Sequence, residues 1–420
     1  MTTTISPATI NGTIAAPASK SSMQRACAAA LLHNGITTIH NAGISNDDKA
    51  ALDIITQLGA KVYTRDGFLE IISQGFAANN NTAANINCGE SGLSIRMFTP
   101  IAALSSTTIN ITGEGSLQKR PMDFFDEIFP QLGIEINSAQ GKLPLQIKGP
   151  LQPNDITIDG SLSSQFLTGL LFAVGQSATD QCIITVTDLK SKPYIDLTLH
   201  IMKHFGFNIE HDNYERFIIN PKTNNDNEKM QYTVEGDWSS ASFLLVAGAI
   251  GGEVTIKGLD VFSTQADKAI LQVLQLSKAH VSISEEAIVI KKNKLMPFVF
   301  DATDCPDLFP PMVALAAYCE GKSVIYGIHR LAAKESDRAK TLQDIFGKMG
   351  IKITLQDDDA MIIEGGTINE ATVSSHHDHR IAMAAAIAAL GAQGDITITE
   401  ADAINKSYPR FYDDLRKLIL

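Results

Sequence analysis

The chain has 420 residues, a formal net charge of −12 and an apolar content of 44%. A chain of this length exceeds a single hydrophobic core, so we expect two domains. The acidic balance argues against nucleic-acid binding through a broad basic face, although it permits a local cationic cleft.

Targeting and cofactor signals are missing from the sequence. The five cysteines form no CxxC motif, which is typical of reduced cytoplasmic thiols. We find no secretory leader at the N-terminus and no apolar run long enough to span a membrane. No residue set has the spacing of metal ligands, and no glycine-rich nucleotide motif occurs. We therefore expect a cytoplasmic protein with no membrane partner, no metal and no organic cofactor.

The first predicted helix lies in PASKSSMQRACAAALL, residues 17–32. Lys20 and Arg25 lie in its first turns, where the helix dipole disfavours cations. An anion bound at the helix N-terminus would explain both charges. Two solvated surface residues would explain them too, so this segment alone leaves both interpretations open.

A unit of strand, loop, helix, turn and two further strands recurs along the chain. Its turn falls at Gly59, Gly133, Gly206, Lys278 and Gly350. Such self-similarity predicts a repeat architecture, and a sixth copy is cut short by the C-terminus. The chain is expected to begin in one domain, to cross to the other near residues 15–20 and to return near residues 232–237.

Each copy also has a second predicted helix with a polar first turn and an apolar body. These helices lie in residues 19–32, 91–106, 163–174, 239–250, 305–318 and 378–390. Helices that are apolar all round are buried, so polar groups are expected mainly at their N-termini. Taken singly, several of these polar residues are explained by helix capping at least as well as by contact with a ligand. They are Ser163, Ser164, Ser239, Ser240 and Asp378.

Together, the helix N-termini and the loops after the first strands carry more charge than capping requires. They hold Lys20, Arg25, Arg96, Arg120, Lys192, Asp307, Lys334, Arg338, His379, Arg380 and Lys406. If three repeats form each domain, both sets can face a shared cleft. Several helix ends with arginine side chains suit a ligand that has more than one phosphate or carboxylate.

Nine segments, in this order, resemble the 5-enolpyruvylshikimate-3-phosphate synthase family of enolpyruvyl transferases. They are PASKSSMQR, GESGLSIR, KRP, DGSLSSQF, SKPYID, VEGDWSSASF, AAKESDR, DHRIAMA and NKSYP, within residues 10–409. The resemblance implies an α/β fold, a two-domain inside-out α/β barrel of six βαβαββ repeats, three per domain. One domain would contain residues 1–16 and 235–420 and the other residues 17–234, with the active site in the cleft between them.

The resemblance also implies the reaction. The carboxyvinyl group of phosphoenolpyruvate would pass to the 5-hydroxyl of shikimate-3-phosphate, and phosphate would leave from a tetrahedral ketal. No covalent enzyme intermediate is required in this family. The partners would be these two small molecules alone, and we expect the chain to act as a monomer.

Matching of the motifs assigns roles to individual residues. Asp307, Glu335 and Lys20 would be catalytic. Shikimate-3-phosphate would be bound by Lys20, Ser21, Arg25, Ser163, Ser164, Gln165, Ser191, Tyr194, Asp307 and Lys334. Phosphoenolpyruvate would be bound by Lys20, Gly92, Arg96, Arg120, Gln165, Arg338, Arg380 and Lys406.

Without the resemblance, several of these residues would fit purely structural roles. Asp307 could cap the helix that follows it, and Glu335 could be a cap or an ion-paired surface residue. Tyr194 could belong to the core. Asp237 and Ser239 are expected to cap their helix, and His379 is expected to be structural.

Some positions depart from the commonest family pattern. Glu90 and Arg330 replace asparagines, Leu93 replaces a threonine, and Met97 replaces a proline. These changes affect fine substrate contacts, and we expect them to weaken inhibition by glyphosate, which binds at the phosphoenolpyruvate site in this family.

Three other protein classes compete with this interpretation. The related transferase that acts on UDP-N-acetylglucosamine usually has a loop cysteine where this chain has Gly115. A non-catalytic anion-binding protein would be expected to lose Asp307, Glu335 or the arginines, and all are present. An RNA-end cyclase on a related fold is disfavoured by the acidic net charge.

Overall fold

The computed structural model describes residues 1–76, 85–222, 229–332, 334–357 and 359–420. The chain forms two compact units. The first unit contains residues 1–17 and 235–420, and the second contains residues 18–234. The second unit is therefore one continuous segment, whereas the first is assembled from both ends of the chain.

The N-terminal segment contributes β1 (Thr3–Ile5) and β2 (Ile10–Ala15) to the first unit. The second unit follows with α1 (Lys20–Leu32), β3 (Asn34–His40), α2 (Asn46–Gln57), β4 (Lys61–Arg65), β5 (Phe68–Gln74), β6 (Asn85–Asn87), α3 (Gly92–Ala102), β7 (Thr108–Thr112), α4 (Asp123–Ile128), β8 (Glu135–Ser138), β9 (Leu145–Lys148), β10 (Ile156–Asp159), α5 (Ser164–Ser177), β11 (Cys182–Thr187), α6 (Lys192–His204), β12 (Asn208–Asp212), β13 (Arg216–Asn220) and β14 (Lys229–Thr233).

The first unit resumes after the second crossing. Its elements are α7 (Trp238–Gly251), β15 (Gly252–Lys257), α8 (Ile270–Leu276), β16 (His280–Ile283), β17 (Ala287–Lys291), β18 (Val299–Asp301), α9 (Phe309–Ala316), β19 (Lys322–Tyr326), α10 (Arg338–Lys348), β20 (Lys352–Gln356), β21 (Ala360–Glu364), β22 (Ala371–Ser374), α11 (His379–Ala389), β23 (Ile396–Thr399) and α12 (Phe411–Leu418). Short 3-10 turns lie at Gly115–Lys119, Phe129–Leu132, Ala266–Ala269, Pro306–Leu308, Ile328–Leu331 and Ala401–Lys406.

The strand order repeats from sheet to sheet. Among the described residues, the sheets of the second unit have the orders β14-β3-β5-β4, β6-β7-β9-β8 and β10-β11-β13-β12. Those of the first unit are β2-β15-β17-β16, β18-β19-β21-β20 and the shorter β1-β23-β22. In each four-stranded sheet a parallel pair is extended by an antiparallel hairpin, as in β10-β11 and β12-β13. The fold is thus mixed α/β.

Strand pairing explains how both chain ends join the first unit. β2 precedes α1 in the chain but pairs in parallel with β15, whereas β14 precedes α7 but pairs in parallel with β3. β1 pairs antiparallel with β23, at the position that a hairpin strand holds in the other sheets. The sheet that contains β22 and β23 therefore takes its antiparallel strand from the N-terminal segment.

The recurring turn has the same backbone conformation in every copy. The φ angles of Gly59, Gly133, Gly206, Lys278 and Gly350 are 105°, 70°, 82°, 65° and 93°. Glycine adopts this left-handed region without steric cost, whereas Lys278 must adopt it with a side chain. The glycine period in the sequence thus reflects a turn geometry that each repeat requires.

The predicted apolar helices form the core of each unit, α1, α3 and α5 in one and α7, α9 and α11 in the other. Every residue of α3, α7, α9 and α11 is buried. α1 is buried from Ser22 onward, so its polar first residues lie nearest the surface. Within the described ranges, no helix has both the length and the apolar character that crossing a bilayer would require.

Candidate active site

The N-termini of the three core helices meet at one end of the second unit. Gln24 Oε1, in α1, accepts hydrogen bonds from Ser91 Oγ at 3.0 Å and Ser94 Oγ at 2.9 Å, at the start of α3. Arg96 Nη1, one turn further along α3, donates to Gln165 Oε1 of α5 at 2.9 Å. The polar first turns, which are far apart in the sequence, are therefore joined in one largely buried polar cluster.

Serine caps begin these helices, as their residue types indicated. Ser163 Oγ accepts from the backbone nitrogen of Gln165 at 3.3 Å, and Ser164 is the first residue of α5. The capping bond uses the hydroxyl of Ser163 only as an acceptor, and a hydroxyl can also donate one hydrogen. Capping is therefore compatible with the predicted phosphate contact at this helix N-terminus.

Arg25, also in α1, has three hydrogen-bond partners. Its side chain is almost fully buried and donates from Nε to Thr198 Oγ1 at 2.8 Å. Its Nη1 reaches the backbone oxygen of Ser21 at 2.8 Å, and Nη2 reaches that of Tyr194 at 3.4 Å. Burial lowers the pKa of Arg25 to about 10, so it stays charged at neutral pH. Ser191, at the start of α6, is buried with a left-handed backbone.

Lys20 opens α1 and lies nearer the surface. Its Nζ forms an ion pair with Asp47 Oδ2 at 2.8 Å, and its side chain is 15% exposed. Asp48, the residue after Asp47, caps α2 together with Ser45 and is buried. The predicted catalytic ammonium is therefore held by a carboxylate of the neighbouring helix.

Two more guanidinium groups converge on the start of α3. A methyl group on Gly92 would lie 2.6 Å from Arg120 Nη1 and 3.4 Å from Arg96 Nη1. Arg96 also lies over the Phe166 ring, 5.1 Å from its centroid. Glycine at position 92 thus leaves the space that both cations occupy beside a helix N-terminus, an arrangement suited to an anion.

In the first unit, one buried arginine binds three carboxylates. Arg338 is 1% exposed and donates from Nη1 to Asp307 Oδ1 at 2.7 Å and from Nη2 to Glu335 Oε2 at 2.6 Å. Its Nε donates to Asp378 Oδ2 at 2.8 Å. The two carboxylates predicted to be catalytic are therefore joined through a single guanidinium group.

Cations surround Asp307 on several sides. Arg380 Nη2 donates to Asp307 Oδ2 at 3.0 Å, and Lys334 Nζ donates to Oδ1 at 3.3 Å. Burial raises the pKa of Asp307, but Arg380, Lys334 and Arg338 together outweigh burial and hold that pKa well below its ordinary value. Asp307 is therefore a carboxylate at neutral pH.

Glu335 lies between two cations. Its Oε2 accepts from Arg338, and its Oε1 is 3.4 Å from Lys406 Nζ. Its side chain is 11% exposed and that of Lys406 is 8% exposed. Lys334, the residue before Glu335, has a lowered pKa, and burial is its main cause. Of the two structural roles considered for Glu335, it takes the ion-paired one, but the pair is buried rather than solvated.

The structure separates capping residues from the others. Asp307 is not a helix cap, because it lies in the 3-10 turn before α9 and its carboxylate contacts cations. Asp237 does cap α7, accepting from the backbone nitrogen of Ser240 at 2.8 Å. The prediction that Ser239 caps this helix is wrong, since Ser239 lies inside α7 and donates to the buried Asp267.

Sequence reasoning missed three acidic residues of these clusters. Asp378 was predicted only as a possible cap, whereas it also binds Arg338. Asp47 and Asp267 gave no signal, because nothing local in the sequence indicates the cations near them. A buried cation needs acceptors, but these can be hydroxyl and backbone oxygens, as for Arg25, so the predicted cations alone do not indicate Asp47 or Asp378.

The predicted residues divide between the units. The second unit holds Lys20, Ser21, Arg25, Gly92, Arg96, Arg120, Ser163, Ser164, Gln165, Ser191 and Tyr194. The first unit holds Asp307, Lys334, Glu335, Arg338, Arg380 and Lys406.

Comparison with known proteins identifies the family of this chain. The family model described as EPSP synthase (3-phosphoshikimate 1-carboxyvinyltransferase) matches residues 5–415. The chain belongs to the EPSP synthase family. The 3-phosphoshikimate 1-carboxyvinyltransferase of Clostridium botulinum (strain Alaska E43 / Type E3) is 36% identical over 420 residues, covering 99% of this chain and 96% of the relative. That of Clostridium novyi (strain NT) is 36% identical over 425 residues, with the same coverage.

Solved structures resemble this chain over nearly its whole length. An EPSP synthase from Acinetobacter baumannii has a TM-score of 0.83 and 25% identity, covering 100% of this chain and 98% of that one. The enolpyruvyl transferase NikO from Streptomyces tendae shares the fold, with a TM-score of 0.75 at 16% identity, covering 99% of this chain and 96% of that one. The predicted resemblance is confirmed, and the chain is an enzyme, a transferase of the shikimate pathway.

Proposed function

We propose that this chain transfers the carboxyvinyl group of phosphoenolpyruvate to the 5-hydroxyl of shikimate-3-phosphate. The products are 5-enolpyruvylshikimate-3-phosphate and inorganic phosphate, a step of aromatic amino acid biosynthesis. The observation that carries the proposal is the buried Arg338, which binds Asp307 and Glu335 together in a chain of the EPSP synthase family.

The reaction needs groups that move protons in both directions. The hydroxyl oxygen bonds to C2 of phosphoenolpyruvate while C3 gains a proton; phosphate then leaves, and the new methyl group returns a proton. Asp307 is held as a carboxylate and suits the acceptor hydroxyl, whereas Glu335, between Arg338 and Lys406, suits the exchange of a proton at C3. Lys20 is the third proposed catalytic residue. General acid–base catalysis of this kind contributes about 10²–10⁴-fold.

The remaining residues suit two anionic substrates. For shikimate-3-phosphate the proposed contacts are Lys20, Ser21, Arg25, Ser163, Ser164, Gln165, Ser191, Tyr194, Asp307 and Lys334. For phosphoenolpyruvate they are Lys20, Gly92, Arg96, Arg120, Gln165, Arg338, Arg380 and Lys406. Buried guanidinium groups and helix N-termini in both sets support this assignment, because both favour phosphate and carboxylate groups.

Substrate binding would require an exchange of partners. Arg338 and Arg380 each donate to Asp307, and Lys406 contacts Glu335. A substrate carboxylate or phosphate would replace these carboxylates on some of the donors. Such an exchange would couple anion binding to the release of Asp307 and Glu335 for proton transfer.

The main alternative to this proposal is a different acceptor, UDP-N-acetylglucosamine, and the residue at position 115 helps to distinguish the two. A Cβ atom on Gly115 would lie 2.4 Å from the carboxyl carbon of Glu90, and the φ angle there is 53°. A cysteine at this position, as the UDP-N-acetylglucosamine transferase usually has, would require Glu90 to move. Glycine in place of that cysteine supports shikimate-3-phosphate as the acceptor.

The larger architecture is also part of the proposal. We expect the six repeats to form an inside-out barrel in each half and the active site to lie in a cleft to which both units contribute. Scattering curves with and without shikimate-3-phosphate test this, and identical radii of gyration would contradict closure around the substrate. The cytoplasmic location and the monomeric state stay predictions.

Phosphate release from the purified protein tests the function. Release should require both phosphoenolpyruvate and shikimate-3-phosphate, and it should fall by at least about 10²-fold in Asp307→Asn and Glu335→Gln. Asp344→Asn, which removes an exposed carboxylate of α10, is the matched control and should match the wild type. Release with UDP-N-acetylglucosamine instead would establish the alternative acceptor, and no release with either acceptor would leave only anion binding.

A further inference from the structure

Asp378 makes more bonds than a helix cap requires. It is fully buried and caps α11 by accepting from the backbone nitrogen of Arg380 at 3.0 Å. It also accepts from Ser336 Oγ at 3.1 Å and from Arg338 Nε at 2.8 Å and Nη2 at 3.2 Å. An N-cap needs only one acceptor oxygen, so most of these bonds serve another purpose.

The bonds to Arg338 fix the plane of its guanidinium group. A carboxylate that accepts from both Nε and Nη2 restrains a planar group far more than a single bond does. The other donors of the same plane reach Asp307, at 2.7 Å from Nη1, and Glu335, at 2.6 Å from Nη2. The orientation of Arg338 therefore determines where both carboxylates are held.

Asp378 reaches Asp307 by a second route. The oxygen Oδ1 that accepts from Arg338 Nη2 also accepts from the backbone nitrogen of Arg380. The side chain of Arg380 in turn donates to Asp307 Oδ2 at 3.0 Å. Both oxygens of Asp307 are thus bonded to arginines that Asp378 restrains, one through its side chain and one through its backbone.

We propose that Asp378 is a positioning residue, which aligns Arg338 and the start of α11 so that Asp307 and Glu335 are presented together to the substrates. The inference rests on the proposed function, because it assumes that these two carboxylates move protons. Asp378 is not among the proposed substrate contacts: its two oxygens accept from Ser336, from Arg338 and from the backbone nitrogen of Arg380.

Asp378→Asn tests the positioning role while keeping a good helix cap, because asparagine is as favourable as aspartate at an N-cap. An amide has only one acceptor oxygen, so the two-pronged bond to Arg338 is lost. We expect kcat to fall about 100-fold, the order caused by a 1 Å misplacement of a reacting group, with smaller changes in both KM values. Asp337→Asn is the matched control: Asp337 caps α10 next to Arg338 and is partly exposed, and this variant should stay within about twofold of the wild type.

A double-variant cycle separates positioning from loss of stability. In an Arg338→Lys background there is no guanidinium plane to align, so Asp378→Asn should lower kcat only slightly further. Ser336→Ala, which removes one bond to Asp378, is the milder variant if Asp378→Asn does not fold, and its kcat should fall with its circular dichroism spectrum unchanged.

The outcomes are distinct. An unchanged kcat in Asp378→Asn would overturn the inference. If Asp378→Asn does not fold, an unchanged kcat in a folded Ser336→Ala would overturn it instead. Fully multiplicative losses of kcat in the double variant would also overturn it. A wild type that releases no phosphate from the two substrates would instead overturn the proposed function and, with it, this role of Asp378.

Discussion

At the scale of single residues, space and charge are matched closely around Gly92. A Cβ atom on Gly92 would lie only 2.6 Å from Arg120 Nη1, so a side chain fits there only if Arg120 moves. Arg120 is almost fully buried, so the guanidinium group has little room to move away. The smallest side chain is therefore required if both arginines are to face the same anion.

Gly92→Ala should weaken phosphoenolpyruvate binding more than shikimate-3-phosphate binding. The methyl group displaces Arg120, and a charge-assisted hydrogen bond is worth about 1.5–3 kcal/mol, so KM for phosphoenolpyruvate should rise about tenfold or more. Steady-state kinetics with each substrate varied measure this. Gly347→Ala, where a methyl group meets nothing within 4 Å, is the control. Equal rises in both KM values would contradict the assignment of Gly92 to one substrate.

Asp48 should make stability depend on pH. It is 1% exposed and accepts from Ser45 N at 3.0 Å and Ser45 Oγ at 2.6 Å, while burial raises its pKa to about 6. The unfolded chain releases this proton near pH 4. The folded state therefore binds the proton more tightly, and the wild type loses stability as pH rises from about 4 to about 6, with no further loss above.

Asp48→Asn removes this titration. The shift of about two units corresponds to about 3 kcal/mol, so the variant should gain roughly that much relative to the wild type between pH 4 and pH 7.5. Urea unfolding at both pH values measures the difference. Asp53→Asn, on the exposed side of α2, is the control. A difference between Asp48→Asn and the wild type that is the same at both pH values would rule out this origin.

The site could be predicted only in part from its residues. The cations at helix N-termini were visible because the dipole disfavours them there, and Lys20, Arg25 and Arg96 do lie at such ends. The carboxylates that bind them were not visible. Asp378 and Arg338 are 40 residues apart and belong to different repeats, so no local pattern records their contact.

At the scale of elements, the repeat turn shows what sequence spacing can and cannot reveal. Glycine marks the turn in four copies, and the structure gives all five copies a positive φ. The spacing predicted the turn, and even the copy with Lys278 keeps its geometry. Pairing partners were harder to predict, because strands such as β2 and β6 have similar short apolar alternation. Which strand β2 joins depends on contacts with β15, more than 200 residues away.

Lys278→Gly should stabilise the protein. Lys278 is exposed and has a φ of 65°, a region in which a side chain costs roughly 1 kcal/mol. Glycine removes that cost but gains freedom in the unfolded chain, so a net increase of about 0.5 kcal/mol is expected. Urea unfolding measures it, with Gly59→Lys as the reverse substitution in another repeat. A destabilised Lys278→Gly, or a stable Gly59→Lys, would show that the turn does not require glycine.

At the scale of the whole molecule, the two units differ in how they depend on the rest of the chain. Every described strand of the second unit pairs within residues 18–234. The first unit instead requires residues 1–17, because β2 pairs with β15 and β1 pairs with β23. Ile5, Ile10 and Ile14 are buried in the core of that unit.

This asymmetry predicts different behaviour of two fragments. Residues 18–234 contain all partners of their described strands and should unfold cooperatively when expressed alone. Residues 235–420 lack two strands and three buried isoleucines. Burial of each isoleucine contributes about 1.5–3 kcal/mol to the free energy of unfolding. Because a domain is stable by only about 5–15 kcal/mol, this fragment should not fold cooperatively. Thermal unfolding followed by circular dichroism measures both.

A synthetic peptide of residues 1–17 should restore folding to the 235–420 fragment. The peptide supplies β1 and β2, whose backbone groups complete two sheets and whose isoleucines fill the core. A peptide with Ile10→Asp and Ile14→Asp can form the same backbone bonds but would bury two charges, so it should not restore folding. If the fragment unfolds cooperatively without any peptide, the first unit does not depend on its N-terminal strands. If both peptides restore folding equally, the backbone pairing of β1 and β2 is sufficient and burial of Ile10 and Ile14 is not required.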